Sequence, residues 1–515
     1  MHVSSALTAP KIITQVSPPK KGSKAFPQQT PHSGAHFQHS HPSPQYSHTT
    51  STWKSSSRRI LQRLQFLRNN NKKKKKRFFE GWYYRVTLLP DDDEDECRDR
   101  TSFVFIFSIE DPGHTQPKSN LSLAACQIMG PNDEYMVQAH PDDTKFWAWR
   151  DQQGLGCTFE WSDECLDLKK VAAIHPDEWK DHVATGFQML PESLQGKIVG
   201  HDGSLGGVMD GQGVPGECSW DIAITPRSGW GDYSGEKSNT NGKKANANKN
   251  HHRQRSTAGW LASFPVFEPH WQVTMADARA SGTIQWKNKT YTFEDQPFYA
   301  EKNWGGAFPL SWYWAQCNAF EAPYNNNLAF TAGGGVRQIP FGKTEELGMI
   351  GIHYNNTFYE AVPWTGDFEW NVSSWGTWEF NGRCTSGTRL FEAEMRAVCD
   401  PVEVPGVDLR APTKLDGLAY FCRDSLLADV ELSLWELQFD DKLKDYVRVA
   451  CIVDKARSRQ GGVEVGGDLW KQNNEGNCGG WKASSRMKQP MKAMVKLPYL
   501  FEGVRGRLIS LIRRR

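Results

Sequence analysis

Residues 78–89 read FFEGWYYRVTLL, and the conformation of that run decides the fold. At strand period, successive side chains point to opposite faces. Phe78, Glu80, Trp82, Tyr84, Val86 and Leu88 then share one face, and Phe79, Tyr83, Arg85, Thr87 and Leu89 the other. Glu80 is the only ionisable carboxyl on a face otherwise apolar or aromatic. Desolvation disfavours a carboxylate, so such a Glu tends to keep its proton near neutral pH and can act as a general acid. A strand-end Glu paired with Arg85 or Lys76 would look the same in sequence. Two charge runs bracket the segment: KKKKKR (72–77) before it and DDDEDE (91–96) after it.

Outward from this strand, the chain from Phe78 onward consists of short runs rich in Phe, Trp, Tyr, Val and Ile, punctuated by Gly, Pro, Asn and Asp. That pattern is mostly β. FVFIFSI (103–109) has the signature of a buried strand, and TIQWKNKTYTF (283–293) that of a hairpin turning near Asn288. FYEAVPW (358–364) and DVELSLWELQF (429–439) read as alternating strands, and long amphipathic helices are scarce. DDDEDE and the Asn/Lys-rich segment 234–256 read as solvated loop insertions. The expected organisation is a disordered leader over 1–77, a first β lobe over 78–256, a second over 257–480 and a basic C-terminal tail over 481–515.

The 515 residues carry a net charge of only +2, so the whole molecule lacks the strongly basic balance of a nucleic-acid binder. A protein that bound nucleic acid through residues 72–77 would show steep salt dependence; the run is short and adjoins low-complexity sequence, and no nucleic-acid partner is expected. Residues 1–79 contain no Asp or Glu and are dominated by Ser, Pro, His, Gln and Lys. Such a stretch cannot bury enough apolar surface to offset chain entropy. Its acid-poor composition also suits a transit peptide, and no apolar region of a secretory signal precedes it. No stretch of about 18 apolar residues would span a bilayer. RRILQRLQFLR (58–68) and GVRGRLISLIRRR (503–515) combine apolar and basic residues as segments lying on an anionic membrane surface do, although frayed charged termini read alike. The eleven cysteines are scattered without a CxxC pair, which points to reduced thiols and no zinc site. His32, His36, His39, His41 and His48 lie in low-complexity sequence, and no functional metal site is expected there. The four sequons, at Asn120, Asn288, Asn355 and Asn371, would matter only in a secreted protein.

Two further segments can carry chemistry. In FPVFEPHWQVTM (264–275), Glu268, His270, Gln272 and Thr274 share a face, and Glu268 with His270 could share a proton. A solvated sheet face would give the same alternation. In YAEKNWGGAFPLSWYWAQCNAFE (299–321), Trp312, Trp314, Gln316 and Asn318 share a face able to hold a planar polar ring and its apolar tail. Glu301 and Lys302 read most simply as a loop ion pair, and Asn303, Trp304 and the two glycines as a tight turn. No GxSxG, Walker loop or HExxH occurs. TAGGGVRQ (331–338) reads as a glycine turn without the strand-GxGxxG-helix context that a dinucleotide needs.

Several stretches resemble the tocopherol cyclase family of plants and cyanobacteria: TPHSGAHF (30–37), RFFEGWYYRV (77–86), STAGWLASFPVFEPHWQV (256–273), FYAEKNWGGAFPLSWYWAQCNAFE (298–321), FTAGGGVRQ (330–338) and the LRAPT, GLA and CRDS pieces of 409–425. The resemblance implies two lipocalin-like antiparallel β-barrel or sandwich lobes around an isoprenoid-sized cavity. It implies an intramolecular lyase or isomerase that closes a phytyl-benzoquinol to a chromanol, with no redox or metal cofactor. The chemistry is protonation of the ring-side trisubstituted alkene, then attack of the ortho phenolic oxygen on the tertiary cation. It needs a proton donor, a water-poor cavity and electron-rich walls. Within the matching stretches, Glu80, Glu268, His270 and Glu301 are candidate donors, with Glu80 ranked first on face geometry. Trp82, Tyr84, Trp271, Trp304, Trp312 and Trp314 are candidate substrate-binding residues, and Gln316 with Asn318 candidate partners of the quinol hydroxyls. The competing readings are a non-catalytic isoprenoid or quinone carrier of the same fold and an isoprenoid hydratase. The resemblance also implies a plastid location, peripheral to thylakoid, envelope or plastoglobules, with a membrane or lipid-globule surface as the further partner.

Overall fold

The computed structural model describes residues 77–89, 100–112, 123–149, 153–162, 172–201, 215–231, 256–257, 269–339, 343–474 and 479–485. All lie in one compact unit, Pro44–Arg515; a second unit, Met1–Ser43, lies outside the described residues. The expected disordered leader to residue 76, the acidic loop, the Asn/Lys loop up to residue 255 and both basic segments also fall outside them.

Eleven strands form the first sheet. They are β1 (Phe79–Leu88), β2 (Thr101–Glu110), β3 (Leu123–Met129), β4 (Tyr135–His140), β5 (Phe146–Ala148) and β6 (Leu155–Trp161), then β7 (Val183–Leu190), β8 (Ser193–His201), β9 (Pro215–Ser228), β10 (His270–Trp286) and β11 (Lys289–Gly305). The sheet is antiparallel, in the order β4-β3-β2-β1-β11-β10-β9-β8-β7-β6-β5. A bridge between Val137 and His201 joins β4 to β8 and closes eight of these strands on themselves.

The second sheet contains β12 (Ser311–Cys317), β13 (Leu328–Ile339), β14 (Lys343–Tyr354), β15 (Thr357–Ala361), β16 (Asp367–Ser373) and β17 (Thr377–Ser386). It continues with β18 (Arg389–Val398), β19 (Val407–Thr413), β20 (Gly417–Asp440), β21 (Asp445–Gly467) and β22 (Gly480–Ser484). Its order is β15-β14-β13-β12-β21-β20-β18-β17-β16-β22, with β19 paired to β20. A bridge between Glu360 and Thr385 joins β15 to β17 and again closes eight strands. Eight is the strand number at which a barrel interior is filled by side chains or holds one small ligand, as in lipocalins. The expected mainly β chain with two barrel-like lobes is the architecture observed. The only α-helices among the described residues are the short α1 (Trp179–His182) and α2 (Asp468–Asn474).

Alternation sorts the side chains into three apolar clusters. Trp82, Tyr84 and Val86 of β1 face the first barrel with Phe298 and Ala300 of β11. Tyr313, Ala315 and Cys317 of β12 face the second barrel with Val463 and Val465 of β21. The opposite faces meet in a third cluster between the sheets, where Tyr83 and Tyr299 pack with Trp312, Trp314, Cys422 and Leu426.

Arg85 ties the sheets together in the same layer. It is 1% exposed, and its guanidinium donates to Gln316 Oε1 at 2.9 Å on β12 and to the Gln460 carbonyl at 2.6 Å on β21.

The hairpin expected near Asn288 turns there, between Trp286 and Lys289. The change of sheet falls between Gly305 and Ser311, later than the composition shift near residue 257, because β10 and β11 still pair with β9 and β1. TAGGGVRQ is no turn: it lies inside β13, paired to β12 and β14 along its length.

Candidate active site

The space between the sheets holds a cavity of about 220 Å³. Strand register explains which side chains reach it. In the first sheet, Tyr83 of β1 stands opposite Glu301 of β11, which stands opposite Val273 of β10. In the second, Gly333, Trp314, Glu464 and Asp424 stand in one row across β13, β12, β21 and β20. Residues directly opposite in antiparallel strands share a face. Each row thus carries acidic groups into the layer where the two sheets meet.

The glycines of β13 and β21 make the room. A Cβ at Gly466 would come within 2.1 Å of the Trp312 indole, and one at Gly333 within 3.2 Å of Trp271. Backbone can lie this close to indoles only where no side chain intervenes.

Glu301 is 6% exposed and fully engaged. Its Oε2 accepts from Tyr299 Oη at 2.6 Å, Trp271 Nε1 at 2.7 Å and Trp314 Nε1 at 2.9 Å, and Oε1 accepts from Asn303 Nδ2 at 3.3 Å. Burial pushes its carboxyl above the ordinary range, and these donors pull it back. Hydrogen bonds that are all donated to the carboxyl favour its ionised form. Glu464 has a single indole donor, Trp312 Nε1. Burial pushes it up to about 7, against the Trp312 hydrogen bond and reinforced by the nearby charge of Glu301. Close to neutral pH, the Glu464 carboxyl is therefore poised to give a proton.

Glu80 does not line the cavity. Its carboxylate is buried, 4% exposed, in an ion pair with Lys302 two strand positions along, and the Lys302 ammonium also lies over the Trp304 ring at 4.7 Å. Glu301 and Lys302 are accordingly not the loop ion pair that the sequence suggests: both are inside β11, on opposite faces, each with a different partner. His270 lines the cavity edge, stacked on Trp304 with ring centroids 5.0 Å apart. Burial lowers its imidazole to about 4, helped by Arg337 and Lys302, so it is neutral at pH 7 and a poor proton donor. Glu268 lies outside the described residues.

Trp271, Trp312 and Trp314 wall the cavity, and Trp82 touches its rim. Trp304 does not reach it, and Tyr84 is in the first barrel's core, where Gln153 donates to its hydroxyl at 3.3 Å. Gln316 and Asn318 share the expected face but are occupied: Gln316 accepts from Arg85 and donates to Asn318, which donates to the Phe298 carbonyl at 2.9 Å. Sequence reasoning missed Glu464. It is a lone acid in GGVEVGG, the same signal that singled out Glu80.

A family model described as tocopherol cyclase-like matches residues 76–467. The probable tocopherol cyclase, chloroplastic, of Oryza sativa subsp. japonica is 36% identical over 400 residues, covering 76% of this chain and 75% of the relative. The tocopherol cyclase, chloroplastic, of Zea mays is 35% identical over 413 residues, covering 78% and 77%. Among solved structures, a protein described as AttH from Nitrosomonas europaea aligns with a TM-score of 0.35 at 10% identity, covering 76% of this chain and 92% of that one. Kievitone hydratase from Nectria haematococca gives a TM-score of 0.34, also at 10% identity, covering 76% and 90%.

Proposed function

We propose that this chain, which belongs to the tocopherol cyclase-like family, closes a prenylated benzoquinol to a chromanol with Glu464 as the acid and Glu301 as the base. It is a cyclisation enzyme of the isomerase type acting on a prenylquinol. The observation that carries the residue assignment is the pair of carboxyls on facing sheets of one indole-walled cavity.

Protonated Glu464 gives its proton to the ring-side carbon of the trisubstituted alkene nearest the quinol. Positive charge develops on the tertiary carbon, and the ortho phenolic oxygen forms the new C–O bond there. The phenolic proton leaves to the Glu301 carboxylate, and loss of that proton from Glu301 with reprotonation of Glu464 resets the pair. Substrate and product are isomers, so no proton is consumed overall. The faces of Trp271, Trp312 and Trp314 attract the developing cation by roughly 0.5–2 kcal/mol each. Indole walls that keep water from the cation would prevent its capture as a tertiary alcohol. At about 220 Å³ the cavity is smaller than the roughly 300–1,000 Å³ of pockets that enclose a drug-sized ligand. It houses the reacting end, and the rest of the prenyl tail extends through the mouth.

The named relatives are chloroplastic, which supports a plastid enzyme. The basic apolar segments 58–68 and 503–515 support contact with a plastid membrane or lipid globule, where such a substrate is dissolved. Purified protein incubated with 2-methyl-6-phytyl-benzoquinol under reducing conditions, followed by chromatography, tests the reaction. A chroman is expected. A tertiary alcohol would make the protein a hydratase, and unchanged quinol a carrier.

A further inference from the structure

We infer that Asp424 is a positioning residue behind the cavity acid: it shares one proton with Glu464 across the β20–β21 ladder and reloads Glu464 after each transfer. The inference rests on Glu464 being the acid.

Asp424 and Glu464 are direct register partners, so both side chains leave their strands on the same face. Asp424 is 0% exposed. Its Oδ2 accepts from Tyr83 Oη at 3.4 Å, and its Oδ1 has no hydrogen-bond partner among the described residues. An ionised carboxylate buried with an empty oxygen is strongly disfavoured, whereas a protonated one turns that oxygen into a donor.

The neighbouring charges lead to the same conclusion. From β21 comes Glu464, from the 3-10 turn Pro131–Asp133 comes Asp133, and from β1 come Tyr83 and the Arg85 guanidinium; the Cys399 thiol lies after β18. The Arg85 guanidinium, its hydrogen bonds directed to oxygens of Gln316, Leu426 and Gln460, acts on Asp424 and Asp133, and Glu464 adds a third carboxyl to the cluster. The three cannot all ionise, so a proton stays within the set. Burial together with the charges of Glu464 and Asp133 raises Asp424 well above the ordinary range, in agreement with that count.

Asp133 supplies the outer end. It keeps exposed surface and accepts from the Leu426 amide at 3.1 Å, two residues beyond Asp424. When Glu464 has protonated the alkene, the Asp424 acid passes its proton to the Glu464 carboxylate. Asp424 then recovers a proton from water by way of Asp133, while the proton released by the phenol returns to water through Glu301.

The test is the pH profile of kcat for chroman formation in the full chain and in Asp424→Asn, with Glu464→Gln as a reference. Asp424→Asn should lower kcat even at the acidic plateau, because Glu464 then reloads without its neighbouring acid, and move the alkaline limb down by about one pH unit or more. An unmoved limb would overturn the inference. Chroman formation at an undiminished rate in Glu464→Gln would instead overturn the acid assignment. Should Asp424→Asn not fold, a ¹³C carboxyl NMR titration of the unsubstituted protein decides: the pair is expected to titrate in two separated steps, and independent titration of the two groups contradicts sharing.

Discussion

At the scale of single residues, Glu80 and Glu464 carry the same sequence signature and have different surroundings. Each is a lone acid within a short apolar stretch, FFEGWYY for Glu80 and GGVEVGG for Glu464. Glu80 meets the Lys302 ammonium on the neighbouring strand, and Glu464 meets an indole N–H and a cavity. The partner decides the chemistry, and it sits on another strand at a sequence distance that alternation cannot reach. This is why the ranking by face geometry favoured Glu80. Glu464→Gln should lower the rate of chroman formation by about 10²–10⁴ with the fold intact, the range over which a positioned proton donor acts. Glu80→Gln should behave oppositely. Leaving Lys302 buried without its carboxylate costs about 3–5 kcal/mol, so urea denaturation should show a loss of stability while the folded fraction still forms chroman. The pH profile of kcat follows from Glu464 being pushed up to about 7: activity should fall as pH rises through that value, because the donor loses its proton.

At the scale of elements, the active layer depends on strand rows and on glycines where indoles must fit. The alternating aromatic strand of residues 311–317 and the hairpin at residues 287–288 were legible because period and turn chemistry are local. TAGGGVRQ was not, since three glycines signal a turn and a close approach equally well. Only the pairing with β12 and β14 distinguishes the two. Gly333→Leu should close the cavity against Trp271, raising KM for the quinol at least about tenfold with little change in circular dichroism. Gly334→Ala should instead lower stability, because its Cβ would meet the Tyr313 hydroxyl at 2.3 Å and the Leu347 carbonyl at 2.7 Å.

At the scale of the whole molecule, two barrels are joined through a buried layer that is polar and aromatic rather than simply apolar. The mainly β character could be read from composition and strand spacing, and the two lobes from domain size and the family resemblance. The place where one sheet ends could not, because β10 and β11 follow the composition shift yet complete the first barrel. Arg85 holds the layer, and Arg85→Ala should destabilise the protein by about 3 kcal/mol or more by leaving several oxygens without their charged donor. Burial raises Glu110 to about 8, Glu464 to about 7 and Asp277 to about 6. These groups bind protons more tightly folded than unfolded, so their contribution is complete below the ordinary carboxyl range and is lost as pH rises through about 6 to 8. His270, lowered to about 4, acts in the other sense and loses its contribution as pH falls through that value. The urea midpoint should therefore decline from about pH 5.5 to about pH 8.5. The central claim is that a cavity carboxyl delivers the proton that starts ring closure. Its most direct measurement is cyclisation in D₂O with mass spectrometry and NMR of the product. The unsubstituted protein should place one deuterium on the chroman carbon next to the newly bonded tertiary carbon, and Glu464→Gln should yield labelled chroman about 10²–10⁴ times more slowly. Labelled chroman at an unchanged rate from Glu464→Gln, or chroman without deuterium at that carbon from the unsubstituted protein, would contradict it.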